Sequence, residues 1–112
     1  MIELIIYNYL KAVLSVDVFM ERSEKAPTGR YVIIEKIGSA KNNHIKQATI
    51  AFQSYADTLF GAAELNENVK TAVEQAVSLD EISGVTLNSD YNFTNAAGKQ
   101  YRYQAVFVFT HY

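Results

Sequence analysis

The chain has 112 residues, which is enough for one domain with a core of its own but too few for two. Ten basic and twelve acidic residues give a net charge of −2, and this balance argues against a nucleic-acid binder that neutralises phosphates with clustered Lys and Arg. The chain contains no cysteine, which excludes a disulfide framework, a thiolate metal site and a thiol nucleophile.

The aromatic content is high, with eight tyrosines and six phenylalanines but no tryptophan. A tyrosine suits an interface because its ring is apolar and its hydroxyl tolerates water. The tyrosines therefore indicate either a surface that is buried against a partner or a core that is edged by tyrosine rings. The first residues, MIELII, lack a basic lead and are too short to span a bilayer, so we expect no signal peptide, no membrane and a cytoplasmic setting.

The first part of the chain predicts a helix, a short strand and a turn. Residues 16–22 alternate in a way that suits an edge strand, and residues 23–29 hold the only proline and are expected to form a loop. Residues 2–14 are predicted to be helical because their apolar side chains recur in steps of three and four. These side chains are Ile2, Ile5, Ile6, Tyr9, Leu10, Val13 and Leu14.

The middle of the chain predicts two strands joined by a loop. Residues 31–37 are rich in β-branched side chains and nearly continuous in apolar character, which indicates a strand covered on both faces at its start. Residues 38–45 are small and polar and are expected to form the loop between antiparallel neighbours. Ala48, Ile50 and Phe52 then alternate with more polar residues, as in a half-buried antiparallel strand.

A long helix is predicted next, with Asp57 as its N-cap and its end near Leu79. Its apolar residues recur close to every 3.6 positions, which predicts one buried face. That face is expected to contain Leu59, Ala62, Ala63, Leu65, Val69, Ala72, Val73, Ala76 and Val77. The positions expected to face water are Glu64, Asn66, Glu67, Lys70 and Glu74.

The last thirty residues predict a β-hairpin whose turn lies at residues 95–99 and includes Gly98. Its first strand alternates over residues 85–93, and its second is apolar on both faces from Ala105 onward, as in a central strand or one covered by a partner. The whole chain therefore predicts an α+β single domain with the order α-β-β-β-α-β-β. We expect an antiparallel sheet of four to five strands packed against two helices.

A search for catalytic chemistry finds little. His44 lies in a polar loop and His111 near the end of the chain, and the spacing supplies neither of them with a positioned carboxylate. The chain has no Gly-rich phosphate loop, no nucleophile elbow and no metal-ligand spacing. We therefore expect a protein that is not an enzyme and that uses no cofactor or metal.

Two surfaces are candidates for contact with a partner. The first is the predicted polar loop, which either faces a partner or a channel or is only a solvated connection; its candidate residues are Lys41, Asn42, Asn43, His44 and Lys46. The second is the aromatic set of the final hairpin, which forms a subunit interface if it lies on an exposed end and belongs to the core if it lies against the helices. Its candidate residues are Tyr91, Phe93, Tyr101 and Tyr103.

The order of these segments resembles the tail terminator, or tail completion, proteins of long-tailed bacteriophages and their prophages. The resemblance rests on residues 27–38, which read PTGRYVIIEKIG, on residues 48–56, which read ATIAFQSYA, and on the helix over residues 62–77. The first helix and the final hairpin also match in place, so the resemblance spans nearly the whole chain. It implies a structural role without an active site.

Proteins of that family assemble, typically as a hexameric ring, on the head-proximal end of a finished tail tube. The resemblance implies that this chain ends tube polymerisation, contacts the tail tube protein and presents a docking surface to the head–tail connector. It also implies assembly in the bacterial cytoplasm and a final place in the tail or neck of the virion. Two alternatives stay open: another neck component, such as a connector or minor capsid protein, and a small dimeric ligand-binding or regulatory domain.

Overall fold

The structure is a computed structural model that describes residues 1–21, 29–94 and 100–112. Seven main elements follow one another in the predicted order, with a 3-10 turn at Gln75–Ser78 after the second helix. They are α1 (Ile2–Val13), β1 (Asp17–Phe19), β2 (Tyr31–Asn42), β3 (Ile45–Ala56), α2 (Leu59–Glu74), β4 (Ile82–Asn92) and β5 (Tyr101–His111). The α+β class and the order α-β-β-β-α-β-β are thus confirmed.

The five strands form one sheet in the order β1-β2-β3-β5-β4. Three of the four pairings are antiparallel, but β1 pairs with β2 in parallel, so the sheet is mixed and the prediction of a purely antiparallel sheet is wrong at this edge. Parallel pairing requires the chain to return to the end from which it came. Residues 23–29, predicted to form a loop, lie between these strands in sequence, and all of them except Gly29 lie outside the described residues.

The long hairpin of β2 and β3 replaces the predicted loop at residues 38–45, and that prediction is wrong. The ladder continues to the pair of Asn42 with Ile45, and only Asn43 and His44 form the turn. Both turn residues have positive φ, 49° and 68°, as a two-residue type I′ turn requires. Asparagine tolerates positive φ well, so Asn43 can form a two-residue turn where the polar composition indicated a longer loop.

The two helices cover one face of the sheet and enclose the main core. Ile6 and Leu10 of α1 are completely buried, as are Phe52 of β3 and Phe107 and Phe109 of β5. Strand β5, whose faces are both apolar from Ala105 onward, lies between β3 and β4 and is therefore an interior strand of the sheet. Within the described residues, no helix is long and apolar enough to cross a membrane.

Helix α2 begins one residue later than predicted. Thr58 is the N-cap, since its side-chain oxygen accepts a hydrogen bond of 2.9 Å from the backbone N–H of Gly61, so the prediction of Asp57 is wrong. The helical region ends at Leu79 after the 3-10 turn, as expected. The predicted buried face is confirmed at its centre, but Leu59 and Val77 at its ends are 42% and 50% exposed.

Candidate functional site

The outer part of the β2–β3 hairpin is exposed, and we call residues 38–47 the arm. Every residue from Ser39 to Gln47 is exposed, although the strands on either side of this segment enter the buried core. The five residues predicted to form a partner-facing loop lie together at the tip of the arm, in a paired ladder and its turn rather than in an irregular loop, and β5 continues beside β3 as far as Lys46. They are Lys41, Asn42, Asn43, His44 and Lys46.

The arm carries positive charge that has few partners within the chain. Residues 36–56 contain three lysines and no acidic residue. Lys41 lies directly opposite Lys46 in the ladder, and like charges in this arrangement destabilise a strand pair. Among the described residues neither of these two has a carboxylate within ion-pair distance, whereas Lys36 lies 3.5 Å from Glu3 of α1. An acidic partner would therefore relieve a repulsion that the arm contains by itself.

The aromatic set of the final hairpin is divided between the two faces of the sheet. Tyr91 and Phe93 lie on the face away from the helices, which we call the open face, and their rings meet edge to face with centroids 5.8 Å apart. Tyr101 and Tyr103 lie on the helix side, half-buried, at the end of β5 farthest from the arm. The division follows from the alternation of side chains along paired strands. The structure therefore does not bring the four residues into one patch.

Aromatic and cationic side chains form a row across the open face at one end of the sheet. The rings of Tyr31 and Tyr55 stack with centroids 4.6 Å apart, and Phe19 of β1 meets Tyr31 edge to face at 6.1 Å. Arg102 continues the row, since its guanidinium lies 4.3 Å from the ring centre of Phe93 and its Nη1 donates to the Tyr55 hydroxyl at 3.0 Å. Side chains from four strands and from the residue after β4 are thereby joined.

A second row, of amides, runs beside the first. Gln53 Nε2 donates to Gln104 Oε1 at 2.9 Å, the Tyr55 hydroxyl donates to Gln53 Oε1 at 3.1 Å, and Gln104 Nε2 donates to the Tyr91 hydroxyl. Both glutamines are 8% exposed although they face away from the helices. A pocket of about 480 Å³ borders the rows, and Met20 lies on its rim. These rows were missed by the sequence analysis, although polar residues alternating along central strands were a visible signal.

A cleft lies between the first half of α2 and the end of the final hairpin, and we call it the α2 cleft. Its volume is about 450 Å³, and its lining includes Phe60, Glu64, Asn66, Glu67, Asp90 and Tyr103. Asn66 and Lys70 were predicted to face water, and this prediction is wrong for Asn66, which is 1% exposed. Nor is Lys70 freely solvated, because its side chain is only 16% exposed.

Asp90 of β4 organises the floor of the α2 cleft. It accepts a hydrogen bond of 2.7 Å from Asn66 Nδ2, and Lys70 Nζ lies 2.5 Å from its second oxygen and 2.8 Å from Glu67. The hydrogen bonds to Asp90 and then to Glu67 raise the pKa of Lys70 above its ordinary value. A raised pKa in the folded state means that this stabilisation is complete at neutral pH and is lost only as the pH rises through the folded pKa.

No protein-family model matches the sequence, and no curated protein shows significant similarity to it. Within the described residues, no group of three or more His, Asp and Glu side chains is placed to hold a metal ion. The two histidines occupy different positions in the sheet. His44 is a turn residue of the arm, whereas His111 pairs with Lys46 in the ladder of β3 and β5. The surfaces that the geometry offers are therefore the arm, the open-face rows and the α2 cleft.

Proposed function

We propose that this protein is a structural component of a long-tailed phage or prophage that forms a ring and caps the head-proximal end of the tail tube. The observation that carries the proposal is the arm, an exposed hairpin end with a basic tip on a small α+β domain. Its exposed strand edges are open to pairing with another chain, and its facing lysines repel each other in a free monomer. A neighbouring subunit or a tube surface that covers the arm would bury these edges and lysines.

The resemblance in segment order to tail terminator proteins supports the same role. In such a ring each subunit uses one patch to contact a different patch of the next subunit. The ring closes when the rotation between neighbouring subunits is a whole-number fraction of a full turn. One face of the ring would stop the tail tube protein from adding further rings, and the other would meet the head–tail connector. The ring would contain six copies, assembled in the bacterial cytoplasm and carried in the tail or neck of the virion.

A second candidate is favoured by the pocket on the open face. Its volume of about 480 Å³ lies within the range of small-molecule sites, and Arg102 and Gln53 supply polar groups beside the apolar Ile33. A dimeric ligand-binding or regulatory domain would use this pocket and would need no arm. Another neck component, a connector or a minor capsid protein, would use the arm but would leave tube length unchanged.

Electron microscopy of purified protein mixed with assembled tail tubes tests the proposal, together with deletion of the gene from the phage or prophage. Protein bound at tube tips and overgrown tubes in the deletion are the expected results. Tubes of normal length that fail to join heads would indicate a connector instead. Absence of binding to tubes and heads alike would contradict both phage roles and direct attention to ligands of the open-face pocket.

A further inference from the structure

The α2 cleft has the chemistry of a site for a cationic, hydrogen-bonding segment. Residues 57–81, which include all of α2, contain six acidic residues and one lysine, so this segment has a net charge opposite to that of the arm. The cleft is bordered by Glu64 and Glu67, whose side chains are 48% and 69% exposed, and by Phe60, which is 76% exposed. An exposed phenylalanine beside carboxylates is a poor surface for water but a good one for a side chain with an apolar stem and a charged end.

Asn66 supplies a second and independent observation, since its side chain lies in the lining of the cleft and is 99% buried. Its amide nitrogen must face Asp90, because a carboxylate accepts hydrogen bonds and cannot donate them. The amide oxygen Oδ1 is then left with no hydrogen-bond partner among the described residues. A buried acceptor without a donor costs about 1–3 kcal/mol, so a donor that reaches Oδ1 through a small movement of the cleft would stabilise it.

The cations that already lie near the cleft do not remove its preference for a cationic segment. Arg30 pairs with Glu64 at 2.9 Å, and Lys70 bridges Glu67 and Asp90. Three carboxylates therefore face two cations, and the balance at the cleft stays negative. The Arg30–Glu64 pair is exposed on both sides, and such pairs contribute little to stability, so it can rearrange when a new cation arrives.

The arm offers the groups that the cleft lacks. Lys41 and Lys46 carry positive charge, Asn42 and Asn43 carry amide donors, and Ile45 presents an apolar side chain that is 53% exposed. The arm cannot reach the cleft of its own chain. Tyr103 at the cleft pairs with Ser54, nine residues along β3 from Ile45, which places the arm tip about 30 Å away at the usual rise of a strand.

We propose that the arm of one copy docks into the α2 cleft of the next copy, with its lysines toward Glu64 and Glu67 and an amide donor toward Asn66 Oδ1. The two patches are unlike and lie far apart along a molecule that measures 44 by 25 by 25 Å. When each copy uses its two patches on two different partners, the contact is head-to-tail, the type that closes into rings. This inference rests on the proposed function, which requires a ring, and adds the two surfaces that build it.

Site-specific cross-linking tests the contact directly, because the chain has no cysteine of its own. One variant carries His44→Cys at the arm tip and a second carries Asn68→Cys at the cleft; both positions are exposed, so neither change disturbs the core. The two proteins are mixed at a concentration at which the native protein self-associates and are then oxidised. A disulfide requires Cα atoms within about 7 Å, so a docked arm holds the two thiols within reach and raises the rate above that of random encounters.

We expect the mixture to give a heterodimer several-fold faster than a matched mixture in which Glu74→Cys replaces Asn68→Cys. Glu74 is exposed on the same helix but does not line the cleft. Equal rates for the two mixtures, or arm-to-arm dimers of His44→Cys as the main product, would overturn the inference. A chain carrying both His44→Cys and Asn68→Cys should give a ladder of oligomers rather than an internal disulfide.

Charge reversal supplies the complementary test. The arm variant Lys41→Glu/Lys46→Glu and the cleft variant Glu64→Lys/Glu67→Lys should each lose self-association in sedimentation experiments. An equimolar mixture should recover it, because each variant then meets a partner with the opposite charge at both of its surfaces. Failure to recover, with both variants folded by circular dichroism, would count against the contact.

The same preparations separate this inference from the proposed function. Native protein that caps tube tips but shows no preferential cross-link between arm and cleft would refute the docked arm and leave the terminator role standing. Specific cross-linking without any binding to tubes would support the docked arm and refute the terminator role.

Discussion

The substitution Asp90→Ala should destabilise the fold more than its place near the surface indicates. The Asp90 carboxylate is a quarter exposed, yet it is the acceptor for the buried amide of Asn66 and a partner of Lys70. Alanine removes both contacts and leaves Asn66 Nδ2, in a side chain that is 1% exposed, without its acceptor. Lys70 keeps its contact with Glu67 at 2.8 Å. The loss should therefore come mostly from the buried amide.

The size of the effect follows from these two contacts. A buried donor left without a partner costs about 1–3 kcal/mol, and a partly exposed ion pair contributes about 0.5–1 kcal/mol. We expect a loss of about 2–4 kcal/mol in the free energy of unfolding, out of the roughly 5–15 kcal/mol of a small domain. For a chain of this length, the melting temperature should fall by roughly 10 °C.

A double-mutant cycle measured by urea denaturation at low protein concentration isolates the hydrogen bond. The cycle compares Asp90→Ala, Asn66→Ala and the double variant with the native chain, and we expect a coupling energy of about 1–2 kcal/mol. Glu67→Ala is the matched control, because it removes the other partner of Lys70 from a side chain that is 69% exposed, and it should cost less than about 0.5 kcal/mol. A coupling energy near zero, or equal losses for Asp90→Ala and Glu67→Ala, would refute this reasoning.

Three further substitutions have defined outcomes in the same denaturation assay. Gln53→Leu should cost about 1–3 kcal/mol because it removes the donor to Gln104 Oε1 in a buried row, and an unchanged midpoint would show the row to be dispensable. Gly61→Ala should destabilise by about 1 kcal/mol despite the higher helix propensity of alanine, since its Cβ would lie 2.9 Å from the capping oxygen of Thr58; a more stable variant would contradict this. His44→Gly should stabilise the fold by up to about 1 kcal/mol by relieving a positive φ, whereas a loss would show that the His44 side chain itself holds the turn.

The fold class and element order could be predicted because hydrophobic periodicity records which face of each element is buried. Ile2, Ile6 and Leu10 recur at helical spacing and are all buried, and the alternation of Ile50 and Phe52 in β3 is a core face as predicted. Hydrophobic periodicity does not show where the pairing between two strands ends. Residues 38–42 have weak strand composition, and they extend β2 because β3 supplies a paired backbone beside them.

The candidate sites were harder to predict because they depend on which strands become neighbours. The five residues predicted to form a partner-facing loop do lie together, since residues that are close in sequence stay close at a hairpin tip. The aromatic set did not, since Tyr91 and Tyr103 project to opposite faces once β4 and β5 are paired. Asn66 was expected to face water because it is polar, and its burial depends on Asp90, which is 24 residues away in sequence. Pairings of this kind have no local signal.

The net charge conceals an uneven distribution of charge along the chain. A chain with a total of −2 looks nearly neutral, but residues 36–56 contain three lysines and no acidic residue, whereas residues 57–81 contain six of the twelve acidic residues and one lysine. Contacts of arm with arm or of α2 with α2 oppose charges of the same sign, whereas a contact between the arm of one copy and α2 of another brings opposite charges together. The distribution of charge therefore favours an association in which the arm meets α2 over one in which like segments meet. A dimer that buries the open face makes no use of this separation.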